Sequence, residues 1–198
     1  MTKQIKSLSQ YAGQLQDAIN GINVNAVESV IKILTDAFNN GHTVYFAGNG
    51  GSAAISSHSC TDLCKGVACD TNFYPRIVSL PDNSSMITAI ANDIGYEDVF
   101  AKQLEWSALA GEVLVVISSS GKSPNIVKAL KEAKKLNMKT IAIVGFTGGP
   151  CKDLADVCIH IPSNNYGIVE DSSMATIHYI AQTIRGRYTT VDPDSLVY

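Results

Sequence analysis

The sequence has little charge, no long hydrophobic run and no excess of basic residues. Only 17% of its 198 residues are charged, and 15 Lys and Arg against 18 Asp and Glu give a formal net charge of −3. This balance argues against a nucleic-acid-binding surface. No apolar stretch approaches the length of a membrane span, and the N-terminal segment has no uninterrupted apolar core of the signal-peptide type. We therefore expect a soluble, cytoplasmic protein without a membrane or nucleic-acid partner.

Cysteine is also sparse, and its spacing argues against two kinds of cross-linked protein. The five cysteines are an odd number, which is unfavourable for a disulfide framework. Cys60 and Cys64 are four residues apart and can share a helix face, but no second pair completes a zinc-finger spacing. We expect reduced thiols that are buried or partly buried.

Apolar residues make up 45% of the chain, and its length suits one domain with a full core. The first 40 residues have helical spacing, with one stripe at Tyr11, Leu15 and Ile19 and a second helix from Asn25 to Gly41. Five short apolar runs follow, and helical stretches separate them. The runs cover residues 43–47, 76–80, 113–117, 140–144 and 157–161, and the helical stretches cover residues 52–66, 84–106, 123–137 and 169–187.

This alternation predicts an α/β fold with three layers, α/β/α, around a five-stranded parallel sheet. The expected strand order is the common 2-1-3-4-5, in which strands one and three flank the crevice where ligands bind. We expect a single domain over residues 1–198. Residues 1–40 form leading helices, residues 41–188 form the α/β core, and residues 189–198 form a loosely held tail.

A glycine-rich loop follows the first predicted strand. Its residues are Gly48, Asn49, Gly50, Gly51 and Ser52. Glycines let backbone N–H groups approach an anion, and a helix N-terminus favours negative charge. The spacing differs from the dinucleotide-binding pattern because Ala53 stands where the third glycine belongs, and a Walker lysine is missing. A plain tight turn between strand and helix is the alternative interpretation.

A second polar loop follows the third predicted strand and again leads into a helix. Its residues are Ser118, Ser119, Ser120, Gly121, Lys122 and Ser123. Hydroxyls and exposed amides at a helix start can hold a phosphate without cationic side chains. A helix cap with polar neighbours would explain such a loop if it stood alone. Two such loops at the predicted crevice favour a phosphorylated small molecule as the ligand.

These loops, with the segment Ala91-Asn92-Asp93 between them, resemble the pattern of the sugar isomerase (SIS) domain family over nearly the whole chain. The leading helices, the Asn-Asp segment and His178 are most similar to the phosphoheptose isomerase branch, which interconverts sedoheptulose 7-phosphate and glycero-manno-heptose 7-phosphate. The resemblance implies a flavodoxin-like sheet and a homotetramer, with the leading helices in a bundle and the sites between subunits. It also implies a role in surface-polysaccharide precursor synthesis.

The resemblance further implies which residues bind the substrate. The serine hydroxyls hold the sugar phosphate, and Ser119 stands where the family often has Thr. Residues of the glycine-rich loop line the sugar, and polar residues from two other segments complete the site. The implied substrate-binding residues are Asn49, Gly50, Gly51, Ser52, Asn92, Asp93, Ser118, Ser119, Ser120, Ser123 and Glu170.

Two helices contain the catalytic candidates. His58 and Asp62 are four residues apart and share one helix face, although such a pair is often only a surface hydrogen bond. On the last helix, Asp171 and His178 are seven residues apart and lie nearly on one face, whereas Glu170 is about 80° away from that line. Helical geometry alone therefore favours Asp171 as the partner of His178.

The resemblance instead selects Glu170. A gap-free alignment sets Asp62 at a family Glu, Glu170 at a family Gln and His178 at a family His. Some phosphoheptose isomerases hold zinc with residues that match His58, Asp62, Glu170 and His178. We accordingly expect a divalent metal, Zn²⁺, and the second carboxylate should strengthen the site for a cation.

The implied chemistry is aldose–ketose isomerisation through an enediol, with Asp62 as the base and His178 as its partner. Asp62 is one methylene shorter than Glu and so reaches roughly 1.5 Å less far. A misplacement of about 1 Å can cost on the order of a hundredfold in rate. Three consequences of the shorter side chain are open: the substrate or metal lies at a different position from that in the family, the substrate specificity differs, or the activity is weak.

We also consider two other functions from the sequence alone. One group of relatives acts as a non-catalytic tetrameric adaptor for the bacterial replication initiator, and such proteins can lack the last-helix His that this chain retains at position 178. Sugar-phosphate sensors join an SIS domain to a DNA-binding domain. The first 40 residues are too short for a helix-turn-helix module with a linker and contain no basic cluster.

Overall fold

The computed structural model describes residues 6–196, which form one α/β unit around a parallel five-stranded sheet. The strand order is β2-β1-β3-β4-β5, so the predicted order and fold class are confirmed. The strands are β1 (Thr43–Gly48), β2 (Arg76–Ser79), β3 (Val113–Ser118), β4 (Lys139–Val144) and β5 (Val157–His160). None of the helices within residues 6–196 is long and apolar enough to cross a membrane.

Eight α-helices surround this sheet in the described part of the chain. They are α1 (Leu8–Asn20), α2 (Val24–Asn39), α3 (Gly51–Thr61), α4 (Ser84–Asp93), α5 (Ala101–Ser107), α6 (Pro124–Lys135), α7 (Gly149–Leu154) and α8 (Tyr166–Tyr188). A π-helical turn, Asp62–Gly66, continues α3, and 3-10 turns cover Leu80–Asp82, Tyr96–Asp98 and Pro193–Ser195.

The structure corrects three details of the sequence-based assignment. α2 begins at Val24, one residue earlier than predicted, because the Asn23 side chain accepts from the Asn25 N–H and caps the helix. The helix predicted over residues 84–106 is broken, since Gly95 adopts a φ of +152° that favours glycine. The six-residue α7 was not predicted, because a single helical turn gives little periodic signal.

The sheet is covered on both faces, which explains its continuous apolar strands. On one face, Val44, Phe46 and Val115 pack with the buried residues of α2, α3 and α8. On the other face, Tyr45 and Val116 pack with the buried residues of α5, α6 and α7. Successive strand residues point to opposite faces, so β1, β3, β4 and β5 each contribute to both apolar layers, whereas the edge strand β2 leaves Val78 exposed.

The helices that follow β1 and β3 lie on opposite faces of the sheet. Ile55 of α3 belongs to the first apolar layer, whereas Ile126 of α6 belongs to the second. β1 and β3 are paired neighbours, so the two chain connections diverge at adjacent strand ends. That divergence opens a crevice at the carboxyl edge of the sheet, where open α/β proteins bind ligands.

Candidate active site

A cavity of about 180 Å³ occupies this crevice. Both predicted polar loops contribute to its wall, together with the first turn of α8. The lining residues are Asn49, Ser52, Ile117, Ser118, Ser119, Ser120, Ser123, Tyr166 and Glu170. The structure therefore brings together seven of the predicted substrate-binding residues that lie on three separate segments of the chain.

Three serines of this cavity are largely buried, and their hydroxyls have no partner among the described residues. Ser52, Ser118 and Ser119 are 4%, 5% and 6% exposed, and none of the three hydroxyls forms a hydrogen bond to a described residue. The hydroxyl oxygens themselves are accessible, since the buried side-chain atoms without a partner in the described residues are Asp62 Oδ2 and Ser172 Oγ. Hydroxyls that face a cavity in this state are suited to bind a ligand rich in acceptor oxygens.

Two glycines hold the loops in this arrangement. A Cβ at Gly48 would lie 2.4 Å from the Ser52 carbonyl oxygen, so only glycine allows α3 to begin this close to the end of β1. Gly121 has a φ of +63°, and a Cβ there would meet the Gly148 carbonyl of the next loop. Their role is therefore to shape the backbone around the cavity.

The side chain of Asn49 is held by a small polar network. Its amide N–H donates to Asn125 Oδ1 at 2.9 Å, and the Asn125 amide donates back to Asn49 Oδ1 at 2.8 Å. The Tyr96 hydroxyl also donates to Asn49 Oδ1 at 3.2 Å. Sequence reasoning missed Asn125 and Tyr96, as well as Tyr166 of the cavity wall, because their placement depends on contacts between distant loops.

Glu170 contributes a carboxylate to the cavity. Its two carboxylate oxygens lie 2.5 Å from the position that a Cβ on Gly51 would take. The carboxylate thus lies against the start of α3, and the absence of a side chain at Gly51 makes room for it. No hydrogen bond or ion pair joins Glu170 to another residue within the described range.

Besides the serine cavity, the structure contains a cluster of His58, Asp62 and His178. The two Nε2 atoms are 3.1 Å apart, and Asp62 Oδ2 lies 3.3 Å from His58 Nε2 and 3.2 Å from His178 Nε2. The i, i+4 spacing across the end of α3 and the start of its π-helical continuation aligns the first two residues, and α8 packs against both segments to add the third. Asp62 Oδ2 is buried and has no hydrogen-bond partner in the described part of the chain.

These three atoms fit one metal ion. Ligand atoms about 2.0–2.1 Å from a tetrahedral ion lie roughly 3.3–3.4 Å apart, which matches the observed spacing. Two imidazole nitrogens and a carboxylate oxygen at such distances repel one another through their lone pairs unless a cation or proton lies among them. The chemistry of the donors, two imidazoles and one carboxylate, is also suitable for zinc.

The cluster lies away from the serine cavity. It borders a second cavity of about 220 Å³, which is lined by Thr61, Asp62, Lys65, Gly66, His178, Ala181, Gln182 and Arg185. On α8, Glu170 and His178 are eight residues apart, which corresponds to about 12 Å of helical rise. The cluster includes three of the four predicted metal ligands and does not include Glu170, whose place as a fourth ligand stays a prediction.

The remaining predicted residues lie outside both cavities. Asn92 and Asp93 are exposed at the end of α4, where the Asn92 amide donates to Asp93 Oδ1 at 2.7 Å. Asp171 accepts a hydrogen bond of 2.6 Å from the Tyr11 hydroxyl of α1. This bond raises the pKa of Tyr11 to about 12. Helical geometry alone favoured Asp171 as the partner of His178, but its side chain contacts α1 instead.

Known proteins resemble this chain over most of its length. SIS domain models match residues 9–145 and 107–190. The phosphoheptose isomerase of Geobacter sp. (strain M21) is 33% identical over 184 residues, or 93% of this chain and 95% of that protein. The probable phosphoheptose isomerase of Thermoplasma volcanium is 36% identical over 185 residues, or 93% and 94% of the two chains.

A solved structure of a phosphoheptose isomerase also resembles this chain over most of its length. The phosphoheptose isomerase of Neisseria gonorrhoeae superimposes with a TM-score of 0.81 at 28% identity, covering 89% of this chain and 95% of that one. The fold and the cavity at its switch point are typical of α/β proteins that bind small ligands beyond their strand ends. The chain belongs to the SIS domain family, and its relatives support the isomerase activity predicted from the sequence.

Proposed function

We propose that this chain is an aldose–ketose isomerase that interconverts sedoheptulose 7-phosphate and D-glycero-D-manno-heptose 7-phosphate. The relatives named phosphoheptose isomerase support this choice of sugar. The product would enter the synthesis of surface-polysaccharide precursors, and the enzyme would work in the cytoplasm. The alternative of a non-catalytic adaptor is less well supported, because the chain retains His178 and His58 in one cluster.

The observation on which this proposal rests is the set of serine hydroxyls that line the cavity and have no protein partner within residues 6–196. A phosphate group has several acceptor oxygens, and each can accept a hydrogen bond from Ser52, Ser118 or Ser119. The start of α3 adds backbone N–H groups and a favourable helix dipole. Such a site binds a phosphate dianion without a basic side chain, which is consistent with the low overall charge of the chain.

The His58, Asp62 and His178 cluster supports a resident Zn²⁺ ion. When bound, zinc would act as a Lewis acid that polarises a carbonyl or hydroxyl oxygen of the sugar. The protein would contribute the two imidazoles and the carboxylate that hold the ion. The resemblance-based roles of Asp62 as base and His178 as its partner stay predictions beside this proposal.

We also propose that the protein is a homotetramer with its leading helices in the interface. An apolar groove of about 240 Å³ runs between α1, α2 and α8. Its rim includes Val24 and Tyr179, which are 67% and 52% exposed. Large apolar side chains grouped on one surface favour a protein–protein contact.

The direct test is turnover of phosphorylated ketoses by purified protein. Sedoheptulose 7-phosphate should be converted to its aldose isomer, and the same sample should contain about one equivalent of zinc per chain. The Ser119→Ala variant should raise KM about tenfold with little change in kcat, because one phosphate hydrogen bond is lost. Ser173→Ala is the matched control, since Ser173 is a buried serine that donates to the Val169 carbonyl outside the cavity.

The adaptor hypothesis makes the opposite prediction. Protein that binds the ketose phosphate and never converts it, with or without added zinc, would contradict the enzymatic proposal. Capture of the replication initiator by the same protein would then support the adaptor function. Conversion of a different ketose phosphate would retain the isomerase function and change only the sugar.

A further inference from the structure

Asn49 lines the serine cavity and also a neighbouring cavity of about 680 Å³, whose wall includes Tyr96 and Asn125. An amide side chain can donate or accept hydrogen bonds, so its orientation decides which substrate atoms it can bind. We propose that Asn125 and Tyr96 are positioning residues that make Asn49 a donor only, so the substrate atom that meets Asn49 is an acceptor oxygen. This inference rests on the proposed isomerase function and adds two residues to its substrate site.

A backbone N–H fixes the orientation of the Asn125 amide. The Ile126 nitrogen lies 3.0 Å from Asn125 Oδ1 and 3.1 Å from the Ser123 carbonyl oxygen, so its hydrogen is shared between two acceptors. A backbone N–H can only donate, and the Asn125 atom that faces it must therefore be the amide oxygen. Asn125 is 2% exposed, and a flipped amide would bury two donors against each other.

The orientation of Asn125 in turn fixes that of Asn49. The Asn125 amide nitrogen lies 2.8 Å from Asn49 Oδ1, and Asn49 Nδ2 lies 2.9 Å from Asn125 Oδ1. A flip of Asn49 alone would place nitrogen against nitrogen and oxygen against oxygen at these distances. The reciprocal pair joins the loop after β1 to the first turn of α6, so neither amide can turn without the loss of both hydrogen bonds.

Tyr96 occupies the remaining acceptor position of Asn49. Its hydroxyl oxygen lies 3.2 Å from Asn49 Oδ1 and can only donate to it. A carbonyl oxygen has two lone pairs, and those of Asn49 are then used by Asn125 and Tyr96. Asn49 Nδ2 donates one hydrogen to Asn125, and its other hydrogen has no partner within residues 6–196. That hydrogen is left for the substrate, and its partner must be a hydroxyl or phosphate oxygen.

The test is a double-mutant cycle in the full-length protein as purified. Asn49→Ala removes the donor and should raise KM for sedoheptulose 7-phosphate about tenfold, with kcat within about twofold of the wild type. Asn125→Ala should raise KM about fivefold, because an unheld Asn49 can turn its oxygen towards the substrate. The double variant should have the KM of Asn49→Ala, since Asn125 acts on the substrate only through Asn49.

Matched variants separate positioning from general loss of stability. Tyr96→Phe should raise KM about threefold, because it frees one lone pair of Asn49 while Asn125 still holds the amide. Its control is Tyr74→Phe, since Tyr74 is 85% exposed and its hydroxyl has no partner within residues 6–196. Thr140→Ala is the control for Asn125→Ala. It removes a hydroxyl on β4 that donates to an aspartate at 2.9 Å and lines neither cavity, so it should lower stability and leave KM unchanged.

Inorganic phosphate distinguishes the two sources of the acceptor oxygen. An unchanged Kd for phosphate in Asn49→Ala would place the acceptor on the sugar, and a rise of about tenfold would place it on the phosphate group. Three results in protein that converts the substrate would overturn the inference: an unchanged KM in Asn49→Ala, strict additivity in the double variant, or tighter substrate binding by Asn49→Asp than by Asn49→Ala. Wild-type protein that neither binds phosphate nor converts the ketose would instead refute the proposed function itself.

Discussion

At the level of single residues, His58, Asp62 and His178 bring three potential ligand atoms together with no hydrogen bond to the buried Asp62 Oδ2 from a described residue. Their three ligand atoms lie within 3.1–3.3 Å of one another, and the Asp62 oxygen is buried without a hydrogen bond. Burial of a carboxylate oxygen without a hydrogen bond is costly, and a cation bound among the three atoms would offset that cost. The nearby Lys65 and Arg185 line the adjoining cavity, but Arg185 pairs with Asp70.

The first prediction follows from this cluster. His178→Ala should remove bound zinc almost completely from dialysed protein and lower kcat about 10³-fold, because only two ligands remain. Metal analysis and turnover on the same sample measure both effects. His160→Gln is the control, since His160 Nε2 lies 2.9 Å from the Phe146 carbonyl and outside the cluster. Retention of a full zinc equivalent by His178→Ala would show that the metal binds elsewhere.

At the level of secondary-structure elements, β1, β3 and β4 were predictable because each is a short apolar run covered on both faces. The pairing of His58 with Asp62 was predictable for a similar reason, since i, i+4 spacing depends only on the helix. The addition of His178 came from the family resemblance, because the packing of α8 on α3 is a tertiary contact. Asn125 and Tyr96 were missed since their hydrogen bonds to Asn49 join segments more than 40 residues apart.

The contact between α1 and α8 supports a second prediction. Tyr11→Phe removes the hydrogen bond from Tyr11 to Asp171 and should lower the free energy of unfolding by about 1 kcal/mol near neutral pH. The folded-state pKa of Tyr11, about 12, is above its ordinary value of 10.0. The contribution is therefore complete below pH 10 and declines as the pH rises towards 12.

Urea unfolding of the wild type, Tyr11→Phe, Asp171→Asn and the double variant measures this interaction as a double-mutant cycle. A coupling free energy of about 1 kcal/mol is expected. Strict additivity of the two substitutions would show that the hydrogen bond does not stabilise the α1–α8 contact.

At the level of the whole molecule, the apolar groove between α1, α2 and α8 makes the last prediction. Val24→Glu introduces a charge at the rim of this groove, where Val24 is 67% exposed, and should dissociate the proposed tetramer into smaller species. The monomer fold should survive, because Val24 is the first residue of α2 and an acidic residue there interacts favourably with the helix dipole.

Leu109→Glu is the control, since Leu109 is 69% exposed and its neighbour Ala108 packs in the apolar layer on the opposite face of the sheet. Light scattering after gel filtration, with far-UV circular dichroism of each peak, distinguishes the outcomes. A Val24→Glu protein with the wild-type mass would place the subunit interface on another surface.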